Sequence, residues 1–221
     1  VGLRALKLNT TGASNVALGT ASLQANTTAA NNTAIGYVSL NANTTGASNV
    51  AVGYAALVNN TTASNNTSVG SGSLQANTTG GANTASGYGA LQSNTTGGAN
   101  VAIGHEALQN NTTASNNVAI GVDALYANTT GTQNIAVGGA AGDAITTGSQ
   151  NTFVGYNAAG AATTGTFNAF LGRSSGSAVT TGGKNTIIGS YNGNQGGLDI
   201  RTASNNIVLS DGDGNPRAYW N

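Results

Sequence analysis

Residues able to carry acid–base or nucleophilic chemistry are scarce in this chain. Its 221 residues include six Lys and Arg, six Asp and Glu, one His and no Cys. His105 and Glu106 form the only adjacent His–acid pair. A catalytic imidazole needs a third group to orient it, and the sequence supplies none, so a variable surface position is the expected role. Asp211, Asp213 and Asn215 have the D-x-D-x-N spacing of a calcium loop. The bidentate Glu of an EF-hand would fall past Asn221, and no helical pattern flanks the run, so turn chemistry is expected there. Glycan cleavage would need paired carboxylates; the repeats described below offer only Glu106, Asp123 and Asp143. Gly80-Gly81 has no Lys-Ser/Thr after it and is not a phosphate loop. No catalytic residue, cofactor or metal site is expected, and the enzyme class is set aside.

Composition narrows the remaining classes. Only 5% of residues are charged, against about 25% in an ordinary domain, and the net charge is zero. A neutral chain without a basic patch lacks the electrostatic means to hold nucleic acid or an anionic membrane surface. No uninterrupted apolar run reaches the ~18 residues of a transmembrane helix. The absence of Cys excludes disulfides and thiolate metal sites. The chain has no initiator Met and starts inside a repeat, as expected of a fragment or a processed product.

The elements that must carry these residues are set by a period of 17. Glycine falls at 2, 19, 36, 53, 70, 87, 104, 121, 138, 155, 172 and 189. Taking this Gly as position zero, Asn stands at −4 in every repeat from Asn15 to Asn185. Position −1 is aliphatic except at Ser86, and +4 is Leu in eight repeats from Leu6 to Leu125. A Thr-Thr pair follows at +8 and +9 in eleven repeats. Low complexity can mean disorder, but a disordered linker has no reason to hold Gly, Asn and Leu in step. Equal spacing means that each residue meets its own copy one repeat later, as in a solenoid.

Seventeen residues are too few for two helices and their turns. Asn100-Val101-Ala102-Ile103-Gly104 alternates as a short strand, and Ala107-Leu108-Gln109 reads as a second one. The fold class is therefore all-β: a parallel β-roll or β-solenoid of about eleven 17-residue coils over residues 1–193. Stacked at about 4.8 Å, the coils would make a rod roughly 50 Å long. Gly is expected to permit a tight corner. The column Asn32, Asn49, Asn66, Asn83, Asn100, Asn117 and Asn134 is expected to form a hydrogen-bonded ladder. The −1 aliphatics and +4 Leu are expected to fill the coil. The Ala column at −2, on the opposite strand face, is expected to pack against another copy, because ordering 17 residues costs on the order of 25 kcal/mol and one coil's few aliphatics return far less.

The runs Asn-Val-Ala-Ile-Gly at 100–104 and 117–121 resemble the head repeat of trimeric autotransporter adhesins of the YadA type. The resemblance implies a left-handed parallel β-roll and a homotrimer. That family's usual coil is shorter; the 17-residue form, with Gly-Tyr-x-Ala-Leu and Asn-Thr-Thr, looks more like repeats of bacteriophage tail fibres. The segment from Asp199 to Asn221 looks like the stretch before the intramolecular chaperone of tail spikes and fibres, and termination at Asn221 fits such cleavage as well as it fits an arbitrary end. These likenesses imply a structural and receptor-presenting segment of a virion tail fibre, with two further copies of itself and a host-surface glycan or outer-membrane protein as partners. The alternative owner is a bacterial trimeric adhesin on the cell surface. An ice-binding solenoid is the remaining option, but adjacent Thr residues point to opposite faces, so only one Thr column would face out.

Receptor contact falls on position +1, where Tyr37, Tyr54, Tyr88, His105 and Tyr156 form an interrupted aromatic column able to stack on sugars. The Asn-Thr-Thr sequons of Asn9 and its copies would crowd if glycosylated, so these Asn are expected to shape turns. After Leu125 the filling changes: +4 becomes Gly142, Ala159, Gly176 and Gly193, while −2 becomes Phe153, Phe170 and Ile187. This trade of volumes implies a second packing mode. From Tyr191 the period breaks. Residues 194–221 are expected to be a hairpin cap or neck, with Ile207–Ser210 and Arg217–Trp220 joined by Asp-Gly-Asp-Gly-Asn-Pro.

Overall fold

The computed structural model describes residues 2–221. The described residues are all-β, without a helix, and build a parallel β-solenoid of 17-residue coils. The chain divides into two compact units, Val1–Ser115 and Asn116–Asn221. The first holds β1 (Val16–Leu18), β2 (Thr33–Ile35), β3 (Val50–Val52), β4 (Thr67–Val69), β5 (Thr84–Ser86) and β6 (Val101–Ile103). Within this unit, neighbours in chain order pair in parallel at a register of one repeat, for example Ala34 beside Ala51. The second holds β7 (Val118–Ile120), β8 (Ile135–Val137), β9 (Thr152–Val154), β10 (Ala169–Leu171) and β11 (Thr186–Ile188), paired in the same way.

There is one strand per coil, not two. Ala107-Leu108-Gln109 and its copies are turn, because positions +2 and +4 take a left-handed backbone: Glu106 has φ 54° and Leu108 φ 53°. A left-handed Leu costs roughly 1–2 kcal/mol. Leu23, Leu40, Leu57, Leu74, Leu91, Leu108 and Leu125 are fully buried, and full burial of Leu contributes about 1.5–3 kcal/mol. Burial therefore outweighs the strain. The turn backbone still bonds to its neighbour coil, with Leu40 N–H donating to Ala56 C=O at 2.9 Å.

The corner glycine is required twice over. Gly87 has φ 141°, a region that L side chains rarely adopt, and an added Cβ would lie 2.2 Å from the Gly104 carbonyl oxygen.

The strand faces are the reverse of the expectation. The Ala column points into the coil: Ala34, Ala51, Ala85 and Ala102 are fully buried. The branched residues at −3 and −1 point out, leaving Val16, Leu18, Val69 and Ile103 exposed. The reason is volume. The flattened coil already holds Leu at +4, so the facing −2 position takes only a small side chain, Ala in most coils and Ser68 in one. Once +4 loses Leu, at Gly142, the large residue moves to −2: Ala136 stays small in that coil, and Phe153 of the next coil begins the exchange. The Phe153 ring approaches Gly142, where a Cβ would come within 2.8 Å, and the Phe170 ring lies closer still to that of Gly176. Phe153, Phe170 and Ile187 are buried, and the two rings pack 5.5 Å apart. The second packing mode is thus an exchange of core volume between two columns.

Two Asn ladders close the opposite end of each coil. In the first unit, the side-chain Oδ1 of Asn15, Asn32, Asn49, Asn66 and Asn83 accepts from the backbone N–H of the Asn one coil later, at 2.9–3.0 Å. The second unit repeats this from Asn117 through Asn134, Asn151, Asn168 and Asn185 to Asn206. The second ladder is built from the sequon Asn: Asn26, Asn43, Asn60, Asn77, Asn94 and Asn111 each donate Nδ2 to the Oδ1 of the copy before. Both ladders also donate to one carbonyl per coil, as Asn32 and Asn43 do to Gly46 C=O. The bond from Asn43 to the residue three on is the expected turn. The ladder was not expected, and it leaves these Asn buried. In the second unit this column turns apolar after Asn128, with Ile145, Ala162, Val179 and Ile200 all buried.

The last coil is longer. β12 (Asn194–Gln195) and β13 (Leu198–Asp199) form a small antiparallel pair, and β14 (Ile207–Ser210) then rejoins the sheet beside β11 with Thr186 opposite Ile207. β15 (Pro216–Trp220) pairs antiparallel with β14, the expected hairpin. Tyr191 is buried beneath this insertion and donates its hydroxyl to Leu198 C=O at 2.9 Å.

Candidate receptor-contact site

The +1 residues follow the corner Gly and stand outside the coil. Tyr37, Tyr54, Tyr88 and Tyr156 are each more than half exposed, and His105 is exposed as well. Their backbone is pinned: the carbonyls of Tyr37, Tyr54, Tyr88 and Tyr156 accept from the +2 N–H of the following coil at 2.8–3.0 Å. In the first unit the rings pair. Tyr37 and Tyr54 stack with centroids 5.7 Å apart and planes within 9°. Tyr88 and His105 stack at 5.4 Å and 17°. Ser71 interrupts the column between these pairs. In the second unit Tyr156 lies over Gly139, whose Cβ position is 3.5 Å from the ring.

Polar groups flank this column in a way that the sequence reading missed. Position +2 is Gly72 and Gly89 in successive coils, and the +5 amides fold over the space left empty. Gln92 Nε2 donates to Gln75 Oε1 at 2.9 Å, and both amides lie within 4 Å of the Gly72 Cβ position. The signal was available as Gly at +2 one coil apart, with Gln at +5 in both.

The chemistry-bearing residues other than His105 lie outside this column. His105 Nδ1 is 3.9 Å from Glu106 Oε2, and its ring belongs to the aromatic column. Asp143 is held above the ordinary carboxylate range, first by burial and further by the charge of Asp123, against backbone N–H bonds that lower it. Asp211 is consumed by the hairpin. Its carboxylate accepts from the backbone N–H of Asp213 and Asn215 and from the Arg217 guanidinium; the Asn215 N–H first, and then Arg217, hold it below the usual range. That is the expected turn chemistry. Asp199 pairs bidentately with Arg201, which lowers its carboxyl to about 2. The Asn column of the sequence reading is interior scaffold: Asn32, Asn49, Asn66, Asn83, Asn100, Asn117 and Asn134 are fully buried.

The other distinctive surface is the strand face. In the second unit, Ile120, Ile135, Leu171, Ile188, Ile207 and Leu209 stand exposed along it. A depression of about 320 Å³ opens in that face around Ala169, with Phe170, Leu171 and Ile188 in its walls. No described helix is long and apolar enough to cross a membrane. Compared with protein-family models, curated proteins and solved structures, the chain finds no match in any of the three.

Proposed function

We propose that this chain is a structural and receptor-presenting segment of a homotrimeric attachment fibre of the bacteriophage tail type. The observation that carries the reading is the outward face of the strands, aliphatic in coil after coil. A half-exposed Val, Ile or Leu leaves roughly half of its 1.5–3 kcal/mol of burial unrealised. The six exposed side chains named in the second unit therefore hold roughly 4–9 kcal/mol, the same order as the ~4–15 kcal/mol cost of association. Contiguous apolar surface of this kind marks an interface. A repeating chain whose copies share one register favours a second and third copy as partners, because every coil then meets an equivalent coil. The +1 rings follow the corner glycine rather than the strand face, which suits them to a receptor.

The test is sedimentation of the chain at several concentrations. Three chain masses are expected, and Ile135→Asp with Leu171→Asp should dissociate the assembly. A monomer at all concentrations would overturn the reading.

A further inference from the structure

We infer that the break in the aromatic column at Ser71 is a binding slot for one neutral pyranose ring. The inference rests on the receptor-presenting reading and assigns that surface a ligand class. Tyr54 and Tyr88 lie two coils apart with only Ser71 between them. Two coil steps place the rings about 10 Å from one another. A six-membered ring entering midway would lie about 5 Å from each, within the ~4.5–7 Å centroid range of stacked rings. Nowhere else in the first unit are two +1 aromatic rings separated by a single small residue; Tyr37 with Tyr54 and Tyr88 with His105 are already in contact.

The slot floor selects the ligand. Gly72 adds no side chain beside Ser71, and the Gln75–Gln92 amide pair covers that space. One amide bond joins the pair over Gly72; it leaves the outer ends of the pair, Gln75 Nε2 and Gln92 Oε1, unused, and Gln92 Oε1 lies 3.9 Å from the Gly89 Cβ position, on the Tyr88 side of the slot. A hydroxyl needs such a combination of donor and acceptor, and a pyranose carries hydroxyls around its rim and C–H groups on its two faces. An aromatic side chain would fill the slot but leave the amides without partners. No charged residue occurs from Leu8 through His105, and Glu106, whose Cγ lies 3.4 Å from the Gly89 Cβ position beside Tyr88, brings negative charge, which repels a carboxylate, sulfate or phosphate. The ligand is a neutral sugar unit.

The experiment titrates the intact, assembled chain with methyl glucoside, methyl galactoside, methyl mannoside and N-acetylglucosamine. Saturation-transfer NMR and Tyr ring shifts provide the readout. At least one sugar should bind in the millimolar range. Ser71→Tyr fills the slot with the residue that coils on both sides already carry, so the fold should tolerate it, and binding should vanish. Tyr54→Ala removes one stacking face and should weaken binding roughly threefold to tenfold. Tyr156→Ala, in the other unit, should leave binding unchanged. Absence of binding by every sugar, or equal binding to Ser71→Tyr, overturns the slot. Tighter binding of a Trp-containing tripeptide than of any sugar overturns the ligand class. A trimer that binds no sugar refutes the slot alone; a monomer that still binds sugar refutes the fibre reading alone.

Discussion

Replacing Asn60 tests whether the sequon Asn residues form a ladder rather than merely shape turns. Asn60 is fully buried, and its Nδ2 donates to Asn43 Oδ1 at 2.9 Å and to Ala63 C=O at 3.0 Å. Its Oδ1 accepts from Asn77 Nδ2 at 3.0 Å. In Asn60→Ala two of these partners keep another bond: Ala63 C=O still accepts from Asn49, and Asn77 still donates to Gly80 C=O. Asn43 Oδ1 has no second donor. One orphaned buried acceptor costs about 1–3 kcal/mol, and the small void adds on the order of 1 kcal/mol. The expected loss is about 2–4 kcal/mol, or roughly 4–16 °C in melting temperature for a chain of this size. Coils interact mainly with their neighbours, so hydrogen exchange should rise in the adjacent coils and not along the whole chain. Asn60→Asp should be worse at neutral pH. It replaces the donor with an anion facing two acceptors, so the folded state holds the carboxyl proton more tightly than the unfolded state does. Its stability is therefore greatest at acid pH and falls as pH rises through the elevated folded pKa. Thermal unfolding by circular dichroism across pH 3–8 measures both effects. An Asn60→Ala melt within about 1 °C of wild type, or an Asn60→Asp no worse than Asn60→Ala and flat with pH, would refute the ladder.

Three further outcomes follow from the packing. Phe170→Ala should cost about 3–5 kcal/mol in thermal unfolding, and Gly176→Leu in the same chain should restore much of it by recreating the Ala–Leu pairing of the other coils; failure of that rescue would deny the exchange of volumes. Gly87→Ala should yield little folded protein, judged by far-UV dichroism, because its Cβ would strike the Gly104 carbonyl. Burial pushes the Tyr191 phenol up to about 12; the folded state keeps that proton longer than the unfolded one, so stability contributed by the neutral phenol is complete below pH 10 and lost between pH 10 and 12. Tyr191→Phe should flatten that part of the pH profile.

The 17-residue spacing made the coil, the corner Gly, the Leu core and the first Asn ladder legible, because each depends on a residue meeting its own copy. The inside of the strand was not legible from hydrophobicity. Val101-Ala102-Ile103 is apolar on both faces, and only the volume already taken by Leu108 decides that Ala102 turns inward. The late Gly142/Phe153 and Gly176/Phe170 exchanges held that information. The supposed second strand failed for a local reason: Ala-Leu-Gln reads as extended in composition, yet Leu there is left-handed, a conformation that sequence preferences argue against. The aromatic column was visible as residue types at +1. Its gap acquires meaning only once Gly72, Gln75 and Gln92 are brought beside it.

The chain has no cysteine, so single thiols can settle which strand face meets another copy. Ile103→Cys and Ala102→Cys differ by one residue and by opposite faces of β6. Under mild oxidation, Ile103→Cys should form interchain disulfide dimers on a denaturing gel. Ala102→Cys should stay single-chain and resist thiol reagents until the protein is unfolded. Cross-linking through Ala102→Cys, with Ile103→Cys left unlinked, would contradict the outward aliphatic interface and the fibre built on it.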